Sequence, residues 1–181
     1  MKKTKTIFFV FIILITVFGY FFVSREIGSS AFKLPVSFSF QENSAGCGNI
    51  FVYKINNDDT VGISVSAGKE KLNLSTIEKT FEVAKTEDLS IEILVGKNIE
   101  RLYCNDIFDP DQPKPKKLIG KSGLAIISIS NDNKSKPDGS EEYKATVTLK
   151  NVHFFNDNGT ESNIVIDELI FKDVTVGWYA G

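Results

Sequence analysis

Histidine, arginine and tryptophan are almost missing from this chain of 181 residues. It has one histidine, His153, one tryptophan, Trp178, and two arginines, Arg25 and Arg101. A single imidazole leaves little choice of general base for histidine-dependent catalysis, and two arginines leave few side chains suited to reading bases. The sequence therefore argues against a histidine-based enzyme and against a sequence-specific nucleic-acid binder.

The motifs of common catalytic sites are also missing. No Gly-x-Ser-x-Gly nucleophile motif occurs. Residues 120–122 (Gly-Lys-Ser) end like a phosphate-binding loop, but Pro115 occupies the position of the required glycine, and the residues that follow predict a strand instead of a helix. His153 lies within a predicted strand, where packing or solvent exposure explains it. We predict no enzymatic activity and no cofactor; a pair of carboxylates acting on glycans is the remaining catalytic alternative.

The acidic balance of the chain excludes a protein that binds nucleic acid by neutralising phosphates. The sequence has 21 basic and 23 acidic side chains. Without Lys2, Lys3 and Lys5, which precede a long apolar run, 18 basic side chains face 23 acidic ones, a net charge of −5. Binding through phosphates needs clustered positive charge. We therefore expect no nucleic-acid partner.

The long apolar run, residues 7–23, carries no charged side chain. As a helix it would extend about 25 Å, close to the ~30 Å hydrocarbon thickness of a bilayer. The preceding lysines favour the cytoplasmic side of a membrane. We predict an N-terminal signal anchor or signal peptide over residues 1–23, in contact with the membrane through residues 7–23. A linker over residues 24–35 and an extracytoplasmic domain over residues 36–181 would follow.

Cleavage of this segment is an open alternative. Ser29, Ser30 and Ala31 provide the small residues that a signal peptidase requires, but Arg25 and Glu26 separate them from the apolar run. We favour an uncleaved anchor in the cell membrane. Cleavage would give a secreted or periplasmic protein.

The rest of the chain shows the two-residue alternation of half-buried strands, interrupted by turns rich in Asn, Asp and Gly. About nine strands are predicted, at Val36–Phe40, Ile50–Ile55, Val61–Val65, Phe81–Val83, Ile91–Val95, Leu124–Ser130, Tyr143–Leu149, Ile164–Phe171 and Val174–Trp178, and Ile99–Cys104 is a candidate for a further strand. Only residues 70–85 leave room for a short helix. This pattern predicts an all-β fold, an antiparallel β-sandwich of immunoglobulin-like or related type.

Cys47 and Cys104 are the only cysteines. In an oxidising compartment an even, minimal number of cysteines predicts a disulfide, with two separate buried thiols as the alternative. A zinc site is not expected, because these cysteines and His153 match no short chelating motif.

The segments around the two cysteines resemble parts of exported bacterial β-domain proteins of unassigned function. The first is Gly46-Cys47-Gly48-Asn49 followed by Phe51-Val52-Tyr53-Lys54, and the second is Leu102-Tyr103-Cys104-Asn105-Asp106. The resemblance implies an extracytoplasmic β-domain that contains the Cys47–Cys104 disulfide. It implies no activity and no site residue.

The stretch Asp109–Lys117 contains three prolines within six residues. Proline cannot donate to a strand ladder, so we predict an extended surface loop. Such loops commonly carry binding residues, and proline reduces the ordering cost of contact. The candidate interaction residues are Asp109, Asp111, Lys114, Lys116 and Lys117, for an envelope protein or glycan partner.

Two alternatives concern ligands of the turns and of the C-terminal aromatic pair. The Asn- and Asp-rich turns offer hard oxygen ligands for calcium, although turn chemistry also explains these residues. Trp178 and Tyr179 would suit sugar stacking or packing in the core. The sequence thus predicts a non-enzymatic, membrane-tethered binding or structural module, with calcium-dependent adhesion or carbohydrate binding as the alternative.

Overall fold

The computed structural model describes residues 38–105, 109–130 and 141–178. The predicted membrane segment, the linker, Val36 and Ser37, the Trp178 side chain and Tyr179 lie outside this part. Within it, no helix has the length and apolar character needed to cross a membrane.

Antiparallel strands make up most of the described part. They are β1 (Ala45–Cys47), β2 (Phe51–Ile55), β3 (Val61–Ala67), β4 (Lys79–Glu82), β5 (Leu89–Val95), β6 (Lys116–Ile129), β7 (Glu141–Asn156) and β8 (Glu161–Trp178). Their order in the sheet is β1-β2-β3-β5-β6-β7-β8, and β4 pairs with β6. All pairs are antiparallel. The predicted all-β antiparallel fold is confirmed.

These strands form one strongly curled sheet, a half-barrel, where the sequence predicted two facing sheets of a sandwich. The two ends of the sheet meet at one point, where the Gly177 N–H donates to the Gly48 carbonyl over 2.7 Å. The curl follows from irregularities in the long strands, because a bulge bends a strand and increases its twist. One lies at Gly123, with φ of 107°, where an added Cβ would lie 2.5 Å from the Asn151 carbonyl oxygen.

The core lies against the inner face of the sheet, which we define by the fully buried aliphatic side chains Val61, Ile63, Val65, Ile91 and Ile93. Burial alternates along β5, as the sequence predicted for a half-buried strand. In β3 the outward positions Gly62 and Ser64 are buried too. Another segment of the chain must therefore cover the outer face of β3.

That cover is the segment Ile99–Cys104, which the sequence predicted to be a strand. The prediction is wrong: Ile99–Leu102 is a 3-10 helix. Asp59, at the end of the β2–β3 turn, holds its start by accepting from the Glu100 N–H over 2.7 Å. The predicted strand Val36–Phe40 lies partly outside the described residues, and Phe40 forms an isolated bridge to Asn56. β4 ends at Glu82, and Val83, predicted as a strand residue, begins a 3-10 helix, Val83–Lys85, within residues 70–85, where the sequence leaves room for a short helix.

A buried lysine fixes the chain that precedes β1. Lys54 in β2 is 7% exposed, and its ammonium donates to the carbonyls of Gln41 (3.1 Å) and Glu42 (2.5 Å). Burial lowers the pKa of Lys54, and the Glu42 charge acts in the opposite direction. Residues 41 and 42 are thereby held against the first long strand.

Candidate functional site

The predicted disulfide is confirmed and defines one side of the site. Cys47 in β1 and Cys104 are joined with a Cα–Cα distance of 6.0 Å. Cys104 is exposed and Cys47 is half-buried. The bond attaches the segment Ile99–Cys104, which we call the strap, to the short first strand. The strap therefore crosses the outer face of β2 and β3 and is anchored at β1.

A glycine in β3 makes room for the strap. A Cβ added to Gly62 would lie 2.7 Å from Ile99 Cγ2 and 2.7 Å from both Cε2 and the hydroxyl of Tyr103. Real Cβ atoms are not found so close to other heavy atoms, so the strap packs directly on the Gly62 backbone.

We expect Gly62→Ala to lower the free energy of unfolding by about 1–3 kcal/mol, the usual cost of overpacking a core. The added methyl group would push Tyr103 and Ile99 off β3. Chemical denaturation of the full chain measures the loss. Gly68→Ala is the matched control, because its added Cβ would meet no atom closer than 3.5 Å. Equal stability of both variants would show that the strap does not pack on Gly62.

The strap residue Tyr103 forms an aromatic cluster with two rings of β2. The ring centroids of Tyr53 and Tyr103 are 4.7 Å apart, and Phe51 lies 5.6 Å from Tyr103 and 6.1 Å from Tyr53. These rings pack with Ile55 and Ile99. Phe51 and Tyr53 are only half-buried, so part of the cluster remains accessible from outside.

The hydroxyl of Tyr103 is buried and, within the described part of the chain, has no hydrogen-bond partner. Burial raises the pKa of Tyr103 well above its usual range. Ser64 acts in the opposite direction, but its hydroxyl lacks the geometry of a hydrogen bond to Tyr103. Glu92 and Tyr53 add to the rise. A buried donor without a partner is costly, so this hydroxyl is the least satisfied group of the site.

A polar network continues across the outer face next to Ser64. Glu92 in β5 accepts from Lys117 over 2.6 Å and from the Ser90 hydroxyl over 3.3 Å. Ser64 and Glu92 are directly opposed in the β3–β5 ladder. The outer face thus changes from aromatic on β2 to hydroxyl and charged groups on β5 and β6.

A cleft of about 420 Å³ lies where β3 ends and β5 begins. Its lining combines three carboxylates and one ammonium group with hydroxyl, amide and backbone groups: Asn49, Ser66, Ala67, Gly68, Glu70, Lys71, Glu87, Asp88 and Ser90. Ser66 is the direct partner of Phe51 in the β2–β3 ladder. The cleft therefore borders the aromatic cluster.

Hydrogen bonds and an ion pair fix parts of this lining. Asn49 accepts from the Lys69 N–H through its side chain, at 3.2 Å, and from the Tyr143 hydroxyl through its carbonyl. Lys71 and Asp88 form an exposed ion pair at 2.7 Å. The hydrogen bond to Asp88, followed by the charge of Asp88, raises the pKa of Lys71.

The candidate interaction residues of the sequence are split between two places. Asp109, Asp111 and Lys114 are exposed in the loop, and Asp109 accepts from the Asp111 N–H over 3.0 Å. Lys116 and Lys117 lie instead at the start of β6, where they pair with β5. Lys117 reaches the site through its ion pair with Glu92.

His153 and the acidic side chains are the groups that histidine, carboxylate or metal chemistry would use. His153 Nδ1 lies 3.5 Å from Glu161 at the surface. Over residues 38–105, 109–130 and 141–178, no group of three or more His, Cys, Asp or Glu side chains is placed to hold a metal ion. Calcium binding by the Asn- and Asp-rich turns stays a prediction.

No family model, curated protein or solved structure matches this chain. The resemblance to exported bacterial β-domain proteins stays a prediction. The site is therefore defined by its own geometry: a disulfide-anchored strap, a half-buried aromatic cluster and a polar cleft on one face of the sheet.

Proposed function

We propose that the protein is a non-enzymatic binding module on the outer side of the cytoplasmic membrane, tethered by residues 7–23. The Cys47–Cys104 disulfide supports an extracytoplasmic location, because such bonds persist in oxidising compartments. The observation that carries the binding role is the polar cleft next to the aromatic cluster.

The chemistry of the cleft favours a neutral, polyhydroxylated ligand, that is, a glycan. Its hydroxyl, amide and carboxylate groups are hydrogen-bonding partners for sugar hydroxyls. The half-buried rings of Phe51 and Tyr53 supply apolar surface nearby. Three carboxylates against one ammonium group disfavour an anionic ligand.

If residues 7–23 tether the domain to the membrane, trypsin added to intact cells or spheroplasts that express the full chain should release it. Trypsin cleaves after Arg25 and Lys33, both in the predicted linker. We expect a fragment containing the disulfide to leave the membrane. The control is Arg25→Gln/Lys33→Gln, which should keep the domain attached. Protection until lysis would contradict an external location, and a domain already free before trypsin would replace the anchor with a cleaved signal.

Glycan binding is tested by calorimetric titration of the full chain in detergent with chitotetraose, cellotetraose and maltotetraose. We expect at least one to bind, and Ser66→Ala/Ser90→Ala to weaken its binding about tenfold, since two hydrogen bonds are lost. Ser128→Ala, a half-buried serine outside the cleft, is the control. Binding that is insensitive to the double substitution would place the glycan elsewhere, and the absence of binding would remove the glycan proposal.

A further inference from the structure

We propose that two copies of this protein pair edge to edge through residues 168–172 of β8, related by a two-fold axis at Ile170. This inference concerns a different surface from the cleft and goes beyond the proposed binding function.

β8 is the last strand of the sheet. One side pairs with β7 along most of its length. On the other side, the described residues form a β-bridge between Gly177 and Gly48, close to the end of the strand. An edge strand presents backbone N–H and C=O groups that can pair with another chain. Residues 168–172 lie away from the Gly177 bridge and belong to this edge.

Irregularities limit the usable edge to a short segment. Asp173 has φ of 49°, at the register shift of the β7–β8 ladder. The Asp173 N–H donates to the Thr146 hydroxyl of β7 over 3.2 Å. At the other end, buried Ile166 is followed by two exposed residues, Asp167 and Glu168, which interrupts the alternation. Pairing would therefore stop after a few residues, as in a closed dimer, and would not extend along the whole strand.

The side chains of this segment are complementary to themselves when the strand is reversed. Glu168, Ile170 and Lys172 point outward and are exposed, while Phe171 is fully buried between Ile170 and Lys172. Glu168 lies 3.5 Å from Lys150 of β7 in an exposed ion pair, which leaves its carboxylate open to a second cation. In an antiparallel pair centred on Ile170, this residue faces its own copy. Glu168 then faces Lys172 of the second copy, and the symmetry produces this ion pair twice.

The exposed apolar side chains of this segment also favour a second copy of the chain as the partner. Ile170 is 46% exposed, and Leu169 beside it is half-buried. In the proposed register both lie at the centre of the contact and are covered, with opposite charges on either side. Cross-strand pairs of opposite charge are favourable and like charges directly opposite are unfavourable, so the charge order Glu–Ile–Lys favours this register.

Cross-linking of a residue on the axis tests the proposal most sharply. Directly opposed residues of an antiparallel pair have Cβ atoms about 4.5–5.5 Å apart, near enough for a short thiol cross-linker. We expect Ile170→Cys in the full chain, in membranes, to give a covalent dimer on non-reducing gels. Val165→Cys is the matched control, since Val165 is similarly exposed (42%) on the same strand but off the axis.

Charge reversal provides a second test of the proposed dimer register. In the Ile170→Cys background, Lys172→Glu places like charges opposite each other twice, and we expect the dimer yield to fall about tenfold. Adding Glu168→Lys restores opposite charges with the positions exchanged, so the yield should return. Glu168→Lys also removes the exposed ion pair with Lys150 and places two lysines opposite each other in the β7–β8 ladder. Thermal melting of each variant measures what this costs the fold.

Each outcome is decisive. Dimers from Ile170→Cys that are lost with Lys172→Glu and regained with Glu168→Lys/Lys172→Glu support the proposal. Equal cross-linking of Ile170→Cys and Val165→Cys would overturn it, because random collision would then explain the product. No cross-linked product, or no recovery on exchange of the charges, would overturn it as well.

Discussion

Replacing both cysteines with serine is expected to lower the free energy of unfolding by about 4 kcal/mol. The bond joins residues separated by 57 positions, and in the chain-entropy model a cross-link over such a span stabilises mainly by restricting the unfolded chain. Chemical denaturation of the full chain, wild type against Cys47→Ser/Cys104→Ser, measures the loss.

Reduced wild-type protein is the matched control for this substitution. It loses the same cross-link and keeps both sulfur atoms, so it should unfold at nearly the same denaturant concentration as the double variant. A loss below about 1 kcal/mol, well under the typical range, would contradict the prediction and show that packing and the Asp59 hydrogen bonds suffice to hold the strap.

Removal of the Tyr103 ring is expected to cost about 3–5 kcal/mol, the range for a large buried aromatic replaced by alanine. Tyr103 is 6% exposed and packs on the Gly62 backbone and on the rings of Phe51 and Tyr53. The Tyr103→Ala variant would leave a cavity under the strap. Thermal and denaturant unfolding of the full chain measure the effect.

The Tyr103→Phe variant separates the ring from its hydroxyl. We expect its stability at neutral pH to equal or exceed that of the wild type by up to about 1 kcal/mol, because a buried hydroxyl without a partner is removed. A loss of more than about 1 kcal/mol would contradict this and show that the hydroxyl is hydrogen-bonded in solution.

The free energy of unfolding at alkaline pH gives a second comparison between the wild type and the Tyr103→Phe variant. Burial raises the pKa of Tyr103 in the folded protein, while a tyrosine in the unfolded chain loses its proton near pH 10. Above that pH the unfolded state therefore binds fewer protons, and the free energy of unfolding falls as pH rises. Tyr103→Phe should lose less stability than the wild type between neutral pH and pH values above about 10.

Much of the strand pattern could be predicted from the sequence, because alternation directly records which side of a strand is buried. β5 matches the predicted alternation, and the disulfide matches the cysteine count. In β3 the predicted aliphatic positions are buried, but the strap buries the outward Gly62 and Ser64 as well. Alternation does not reveal whether the buried faces belong to two sheets or to one curled sheet. That choice depends on bulges such as the one at Gly123, whose conformation the strand pattern does not specify.

The site itself was less predictable. The sequence predicts Ile99 and Leu102 as part of a strand, but their spacing of three also suits one turn of a 3-10 helix, and packing on Gly62 decides between the two. The cleft is assembled from Asn49, residues 66–71 and residues 87–90. No local motif connects such distant segments, so sequence reasoning selected the proline-rich loop instead.

The central claim is that this protein functions outside the cytoplasm with its strap bonded to its first strand. Mass spectrometry of the full chain, isolated from membranes and alkylated without reductant, tests it most directly. We expect one linked peptide pair joined through Cys47 and Cys104, with neither thiol alkylated. Two fully alkylated cysteines would contradict it.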